Sequence, residues 1–174
     1  ISSYLFVDEG DTVIIPDLYW ENYSLIFENN YLGKIETFPL FQNGGFNHLG
    51  LGKMMDQSKG KIILLLNFPN NPSGYTPLVS EIDGIVELIS KQANKGKKVV
   101  VLIDDAYFGL VYEKGVFTES IFTQLSTLHE NVLAVKLDGA TKEDYVWGFR
   151  VGFITYGVKN GTPALYEALE NKTA

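Results

Sequence analysis

The stretch LLLNFPNNPSG, residues 64–74, passes from an apolar run directly into prolines, asparagines, a serine and a glycine. Three consecutive leucines predict a strand that is buried on both of its faces. Proline fixes φ and removes a backbone donor, glycine frees φ, and asparagine carries a side chain that both donates and accepts hydrogen bonds. The sequence therefore predicts a buried strand that ends in a rigid, polar turn.

Further apolar runs rich in β-branched residues predict more strands, and helical patterns lie between them. With the leucine run included, the predicted strands are residues 12–15, 35–40, 61–66, 98–104, 132–137 and 151–156. The clearest helix covers residues 77–93, where one apolar stripe precedes a Lys-Gly-Lys stop. Shorter helical patterns occupy residues 20–29, 49–57, 120–128 and 163–171. Strands that alternate with helices predict an α/β fold with three αβα layers around a mostly parallel sheet.

The composition argues against several classes of function. A net charge of −7 disfavours nucleic acid or an anionic membrane as the main partner. Cysteine is absent, which excludes disulfides and thiolate chemistry. His48 and His129 are the only histidines and lie far apart, so a histidine-based metal site or a Ser-His-Asp triad is not favoured. The first residues lack the pattern of a signal peptide, and we predict a cytoplasmic protein.

The segments at the strand ends are where a ligand is expected, because sheets of this kind bind ligands beyond the carboxyl ends of their strands. Together these segments offer an amine, a carboxylate, a phenol, an amide, a guanidinium and a large aromatic ring. They are residues 16–23, 67–74, 104–107 and 138–142, with residues 148–152 at the start of the sixth strand. The set suits pyridoxal phosphate, whose aldehyde needs a lysine and whose pyridine nitrogen needs a carboxylate. Its phosphate favours arginine, and its ring face favours an aromatic side chain.

Three of these segments are similar to motifs of the fold-type I aminotransferases of class I and II. NFPNNPSG (67–74) resembles the family's Asn-Pro-(Thr/Ser)-Gly turn, and LIDDAYFGL (102–110) resembles its Asp-x-x-Tyr strand end. TKEDYVWGFRVG (141–152) resembles its lysine segment, in which an arginine follows the lysine by eight positions. The order and spacing agree, and the resemblance implies the large domain of a PLP transferase. It also implies a cis peptide bond between Asn71 and Pro72.

The resemblance implies how four side chains would hold the cofactor ring. Lys142 would form the Schiff base and would also move the proton between the substrate Cα and the cofactor. Asp104 would pair with the pyridine nitrogen, and Tyr107 and Asn71 would hydrogen-bond the phenolic oxygen. Asp105 is the natural rival of Asp104, but neighbouring residues of a strand point to opposite faces, so only one of the two can face the ring.

The phosphate and the ring face are assigned by the same resemblance. Arg150, the only arginine of the chain, would hold the phosphate. Many relatives carry a phosphate-binding serine three positions before the lysine, where this chain has Gly139, and Thr141 could supply a hydroxyl in its place. Trp20 would stack on the ring, although packing in the core is an equally ordinary role for a tryptophan.

Members of the family are much longer than this chain, so residues 1–174 are predicted to be most of one PLP-binding large domain. The glycine-rich loop before residue 1 and the C-terminal small domain would be absent. We predict that the whole protein is a homodimeric PLP-dependent aminotransferase that moves an amino group between an amino acid and a 2-oxo acid. Two alternatives stay open on the same scaffold: a carbon–sulfur lyase or decarboxylase, and a non-catalytic binding domain.

Overall fold

A six-stranded mixed sheet forms the centre of the computed structural model, which describes residues 1–174. The chain forms eight strands: β1 (Thr12–Pro16), β2 (Lys34–Phe38), β3 (Phe41–Gln42), β4 (Gly45–Phe46), β5 (Ile62–Asn67), β6 (Val99–Asp104), β7 (Val132–Asp138) and β8 (Phe153–Gly157). The large sheet has the spatial order β2-β1-β5-β6-β7-β8, and β3 with β4 forms a separate antiparallel hairpin. Neighbouring strands pair in parallel as far as β7, and β8 runs antiparallel to β7.

Seven α-helical segments cover the sheet. In chain order they are α1 (Ser2–Phe6), α2 (Asn22–Ser24), α3 (His48–Gln57), α4 (Val79–Asn94), α5 (Phe122–Leu125), α6 (Ala140–Glu143) and α7 (Pro163–Thr173). A π-helix over Leu25–Asn29 continues α2, and a 3₁₀ turn covers Trp147–Phe149. One buried cluster joins the sheet to α3, α4 and α5, and a second joins its other face to α1, α2 and the π-helix. The predicted three-layer αβα fold is confirmed.

The central strand β5 is buried at all six positions, as its uninterrupted apolar run predicted. Parallel partners on both sides satisfy its backbone, and helices on both faces remove its side chains from water. On the sheet face that α3, α4 and α5 cover, the fully buried apolar stripe of α4 consists of Ile82, Ile85 and Ile89. Burial of each of these isoleucines contributes roughly 2 kcal/mol, so the α4 stripe anchors that layer to the sheet.

Several local elements differ from the sequence-based expectation. The helix predicted over residues 120–128 is reduced to the four residues of α5. The sixth strand begins at Phe153, two residues later than predicted, and α1 and the β3–β4 hairpin were not predicted at all. The hairpin turns at Asn43-Gly44, where both residues have positive φ, which is the geometry that this residue pair favours.

The topology brings the predicted ligand segments to one edge of the sheet. The parallel register aligns Asn67 with Asp104 and Asp104 with Leu137. Because β8 is antiparallel to β7, its first residue, Phe153, lies opposite Asp138, the last residue of β7. The carboxyl ends of β1, β5, β6 and β7 and the start of β8 therefore share one side of the molecule. None of the helices combines the length and the apolar character needed to cross a bilayer.

Candidate cofactor site

A cavity of about 750 Å³ lies at this edge of the sheet. Four of the five predicted segments contribute to its wall, together with Ile1 and with Ser2, the first residue of α1. The polar or aromatic residues in the wall that bear on chemistry are Trp20, Tyr23, Asp104, Asp138, Thr141, Lys142 and Arg150. Five of the seven predicted site residues thus line one cavity, although they come from sequence positions as far apart as 20 and 150.

Lys142 is carried by α6, the short helix that directly follows β7. Its side chain is exposed, and its Nζ lies 5.4 Å from the centre of the Tyr107 ring, within the range of a cation–π contact. Tyr107 does not itself line the cavity, but this contact places its ring beside the amine. The predicted lysine and tyrosine are therefore neighbours in the fold.

Asp104 ends β6 and presents its carboxylate to the cavity. Its Oδ1 accepts the backbone N–H of Ala106 at 3.0 Å, and its Oδ2 accepts the hydroxyl of Tyr23. Two carboxylate oxygens offer about four acceptor positions, so the group can still accept a hydrogen bond from a ligand. A carboxylate held from two sides in this way is well suited to a protonated ring nitrogen.

Tyr23 is a site residue that the sequence motifs do not identify. Its side chain is 4% exposed, and its ring meets that of Trp20 edge-on, with 5.7 Å between the ring centres. Burial, together with the charge and hydrogen bond of Asp104, raises the pKa of Tyr23 far above its usual value. The phenol therefore remains protonated and acts as a donor to Asp104. The two residues are far apart in sequence, and no short motif links them.

Asp105 points away from the cavity, as strand alternation predicted. The residue is 3% exposed, and burial raises the pKa of its carboxyl group to about 6, against the opposing effects of Ser120 and Lys136. The closest approach of the Lys136 Nζ to an Asp105 oxygen is 3.7 Å. Of the two adjacent aspartates, only Asp104 is placed to contact a ligand in the cavity.

The asparagine turn lies beside the cavity rather than in its wall. Asn67 donates through Nδ2 to the backbone oxygen of Asp104 at 2.9 Å and accepts the N–H of Asn71 at 2.8 Å. Asn70 donates to the backbone oxygen of Leu18 and accepts from Ser73, which fixes the turn from within. The peptide bond between Asn71 and Pro72 is cis, as the resemblance implied. Asn71 does not line the cavity. Its backbone N–H donates to Asn67, which pairs with Asp104 in the sheet.

Arg150 and Thr141 also line the cavity. Arg150 follows the 3₁₀ turn and adopts a positive φ of 53°. At Gly139, an added Cβ would lie 2.8 Å from the carbonyl oxygen of Val151, so a serine could not be accommodated without a backbone shift. The chain therefore offers the Thr141 hydroxyl, and not a hydroxyl at position 139, in the wall of the cavity that Arg150 also lines.

This set of donors fits pyridoxal phosphate in chemical type. The cavity wall supplies an amine for an aldehyde, a carboxylate for a ring nitrogen, a guanidinium and a hydroxyl for a phosphate, and an indole for a ring face. The residues that would meet these groups are Lys142, Asp104, Arg150, Thr141 and Trp20.

A mostly parallel αβα sheet with these groups at its carboxyl edge matches the architecture of aminotransferase large domains. Residues 2–171 match the family model for aminotransferase class I and II, and the chain belongs to this family. A crystal structure of an aminotransferase from Anaerococcus prevotii superposes on 97% of the chain with a TM-score of 0.83 at 27% identity.

Curated relatives share the same level of similarity. A "Probable aspartate/prephenate aminotransferase" of Rickettsia felis is 29% identical over 94% of the chain, and an aspartate aminotransferase of Thermotoga maritima is 28% identical over 90%. The chain spans only 37% and 38% of the length of these two relatives, and 42% of the Anaerococcus prevotii chain.

Proposed function

We propose that the whole protein is a PLP-dependent aminotransferase and that residues 1–174 are most of its cofactor-binding large domain. The observation that carries the proposal is the single cavity lined by Asp104, Lys142 and Arg150, which three separate segments bring together in a chain of this family. When bound, pyridoxal phosphate supplies an aldehyde for the covalent attachment of amines and a ring that withdraws electrons.

Lys142 is the catalytic residue of the proposal. Its amine binds the aldehyde and, once released, takes the proton from the substrate Cα and returns it. The position of Nζ beside the Tyr107 ring supports this role, because the contact holds the amine at the cavity wall. Asp104 holds a proton on the pyridine nitrogen, and Tyr23 fixes the Asp104 carboxylate for that task.

The other predicted residues are proposed to bind the cofactor and to orient its ring. Arg150 provides a planar pair of donors for a phosphate, and Thr141 provides a hydroxyl in the wall of the same cavity. Trp20 covers the ring face, held edge-on by Tyr23. Asn71 and Tyr107, which lie beside the cavity, would hydrogen-bond the phenolic oxygen.

Aspartate is the amino donor to test first, because both curated relatives are described by their action on aspartate. The acceptor is a 2-oxo acid. The proposal includes a homodimer, supported by the large apolar side chains that the lysine segment leaves exposed: Tyr145 (71%), Trp147 (65%), Phe149 (76%) and Phe153 (62%). Exposed apolar patches of this kind are typical of protein–protein contacts. The cytoplasmic location stays a prediction from the sequence.

The proposal is tested by measuring transamination between aspartate and 2-oxoglutarate in the full-length protein. Lys142→Ala should lower the rate by on the order of 10⁴-fold, since both covalent attachment and proton transfer are lost. Lys159→Ala, at an exposed lysine after β8, is the matched control and should leave the rate unchanged. Transamination that survives Lys142→Ala would contradict the assignment. Release of a sulfur leaving group or of CO₂ without transamination would favour a lyase or a decarboxylase instead.

A further inference from the structure

Asn70 joins the asparagine turn to the loop that carries Trp20. It precedes Asn71 in the turn that follows β5, and it is only 5% exposed. Its side-chain Nδ2 donates to the backbone oxygen of Leu18 at 3.1 Å, between residues that are 52 positions apart in sequence. Leu18 lies two residues before Trp20, in the loop between β1 and α2. One buried side chain therefore links two of the segments predicted to bind the ligand.

The loop has few other hydrogen bonds between the end of β1 and Trp20. Asp17 is held beside the end of β2 by two hydrogen bonds of 2.8 Å, one from its backbone N–H and one to its carboxylate. Beyond Asp17, the bond from Asn70 is the only hydrogen bond that the backbone of Leu18 or Tyr19 makes. Loops with few such bonds open locally at low cost in free energy. The path of the backbone into Trp20 therefore depends on Asn70.

The turn holds the Asn70 amide in one orientation. Its Oδ1 accepts the backbone N–H of Ser73 at 3.1 Å and the Ser73 hydroxyl at 2.5 Å. The backbone N–H of Asn70 donates to Tyr75 at 2.9 Å, and its carbonyl oxygen accepts from Gly74 at 2.7 Å. Because the Ser73 N–H can only donate, the amide oxygen faces Ser73 and the amide nitrogen faces the Leu18 carbonyl.

Trp20 is the point where this link reaches the cavity. The residue lines the cavity and is 42% exposed. On one side, the backbone N–H of Tyr23 donates to the Trp20 carbonyl oxygen at 3.0 Å, and the Tyr23 hydroxyl donates to Asp104. On the other side, the chain is held through Leu18 by Asn70. The Trp20 position is thus tied both to the carboxylate at the end of β6 and to the asparagine turn.

We propose that Asn70 is a positioning residue that sets Trp20 over the cofactor ring and does not touch the cofactor itself. The inference rests on the proposed function and deepens it, because it assigns the placement of the ring-stacking side chain to a residue outside the cavity wall. A planar ring binds tightly only when the groups at its face and at its edge keep a fixed separation. Asn70 provides this by joining the Trp20 loop to the turn that carries Asn71.

The test separates the two halves of the Asn70 amide in the full-length protein. Asn70→Asp keeps an oxygen that accepts from Ser73 but replaces the donor to Leu18 by a second oxygen, which repels the carbonyl. Binding of pyridoxal phosphate should weaken by about fivefold to tenfold. Ser73→Ala removes the hydroxyl bond within the turn and leaves the bond to Leu18 in place. It should bind pyridoxal phosphate within about twofold of the parent.

A double-mutant cycle shows whether Asn70 acts through Trp20. Trp20→Ala alone should weaken binding of pyridoxal phosphate by about tenfold, because the stacking ring is lost. Asn70→Asp added to Trp20→Ala should weaken it by less than about twofold more, since no indole remains to be placed. The readouts are dissociation constants measured by equilibrium dialysis, with thermal unfolding of each cofactor-free variant as the control for folding.

The outcomes distinguish this inference from the proposed function. If the parent forms no borohydride-reducible attachment at Lys142, the proposed function fails. If the parent does bind there, the inference about Asn70 is wrong when Asn70→Asp has no effect, when Ser73→Ala costs as much, or when the losses from Asn70→Asp and Trp20→Ala add in full. Parent-like binding in Trp20→Ala would also overturn it.

Should Asn70→Asp fail to fold, Asn70→Ala takes its place in the same cycle, because it removes the donor to Leu18 without adding a charge. A loss of affinity that disappears in the Trp20→Ala background supports the inference, and a loss that persists there contradicts it.

Discussion

The two sides of the cavity are built in different ways. On the asparagine side, Asn67 and Asn70 are each 5% exposed, and intrachain hydrogen bonds occupy their side chains. On the lysine side, Lys142 sits on a four-residue helix, and the aromatic residues that follow it, such as Trp147 and Phe149, are mostly exposed. This chain therefore fixes Asp104, the proposed partner of a ring nitrogen, through its own hydrogen bonds. The lysine segment, by contrast, leaves an apolar surface exposed, the one proposed above as a contact between subunits.

The difference follows from position in the sheet. The asparagine turn and Asp104 end β5 and β6, which have parallel neighbours on both sides and helices on both faces. The lysine segment joins β7 to β8, and β8 is the edge strand of the sheet. Contacts are fewer at an edge, so the local free energy of opening is expected to be lower there.

The largest effect on stability is expected at the asparagine side. Asn67→Ala would leave the backbone oxygen of Asp104 and the N–H of Asn71 without their partners. Loss of this buried bridge should lower the free energy of unfolding by roughly 2–3 kcal/mol, measured as thermal or chemical unfolding of the whole protein. Asn94→Ala, at an exposed asparagine of α4, is the control and should change it by less than about 0.5 kcal/mol. Equal effects of the two substitutions would show that the hydrogen bonds of Asn67 contribute no more to stability than an exposed asparagine does.

The buried carboxyl group of Asp105 should make the free energy of unfolding depend on pH. Because burial raises its pKa from 3.8 to about 6 in the folded protein, its contribution to stability is fully present below pH 3.8 and is lost as the pH rises through 6. Asp105→Asn replaces the carboxyl group by an amide that does not titrate, so the variant does not lose this stability as the pH rises. Relative to the parent, the variant should gain about 2 kcal/mol between about pH 4.5 and pH 8.

The measurement for Asp105 is unfolding as a function of pH, with Asp83→Asn on the exposed face of α4 as the control. A difference between Asp105→Asn and the parent that does not change with pH would show that the carboxyl group is not the titrating residue.

Tyr23 orients Asp104, the proposed partner of the ring nitrogen, through a hydrogen bond from its hydroxyl. Tyr23→Phe keeps the buried ring and removes only the hydroxyl that donates to Asp104. A less firmly oriented carboxylate should lower kcat/KM for transamination by about tenfold. Tyr19→Phe is the comparison, since its hydroxyl makes only a 3.5 Å contact with Ser24. A similar loss in both variants would point to general packing and not to the Asp104 contact.

The smallest effect is expected at the lysine side. Gly139→Ala places a Cβ 2.8 Å from the Val151 carbonyl oxygen, so the junction that leads to α6 must move. Binding of pyridoxal phosphate should weaken by about threefold. Gly148→Ala, where nothing lies within 4 Å of the added carbon, should leave binding unchanged. If Gly139→Ala bound pyridoxal phosphate as tightly as the parent, a shift of the backbone at this junction would not affect cofactor binding.

The fold was predictable because its main strands are apolar runs and its main helix has a regular stripe. β5 and α4 appear within two residues of the predicted bounds. The hairpin β3–β4 was missed because each strand has only two residues, too few to show alternation, although the Asn43-Gly44 signal was present. Strands so short take their conformation from tertiary contacts and from the turn.

The candidate site was predictable where a motif carried it and not where a tertiary contact did. The strand-end rule located Asp104 and Lys142, and alternation separated Asp104 from Asp105. Tyr23 was missed because its contact with Asp104 joins residues 81 positions apart, and nothing local marks it.

The central claim, that side chains from separate strand ends meet around one cofactor, is tested most directly by chemical trapping. The full-length protein is incubated with pyridoxal phosphate, reduced with borohydride, digested and mapped by mass spectrometry. We expect the modified residue to be Lys142, and we expect Asp104→Ala and Arg150→Ala each to reduce the yield of the modified peptide. Stable modification at another lysine, or a yield at Lys142 that both substitutions leave unchanged, would contradict the claim.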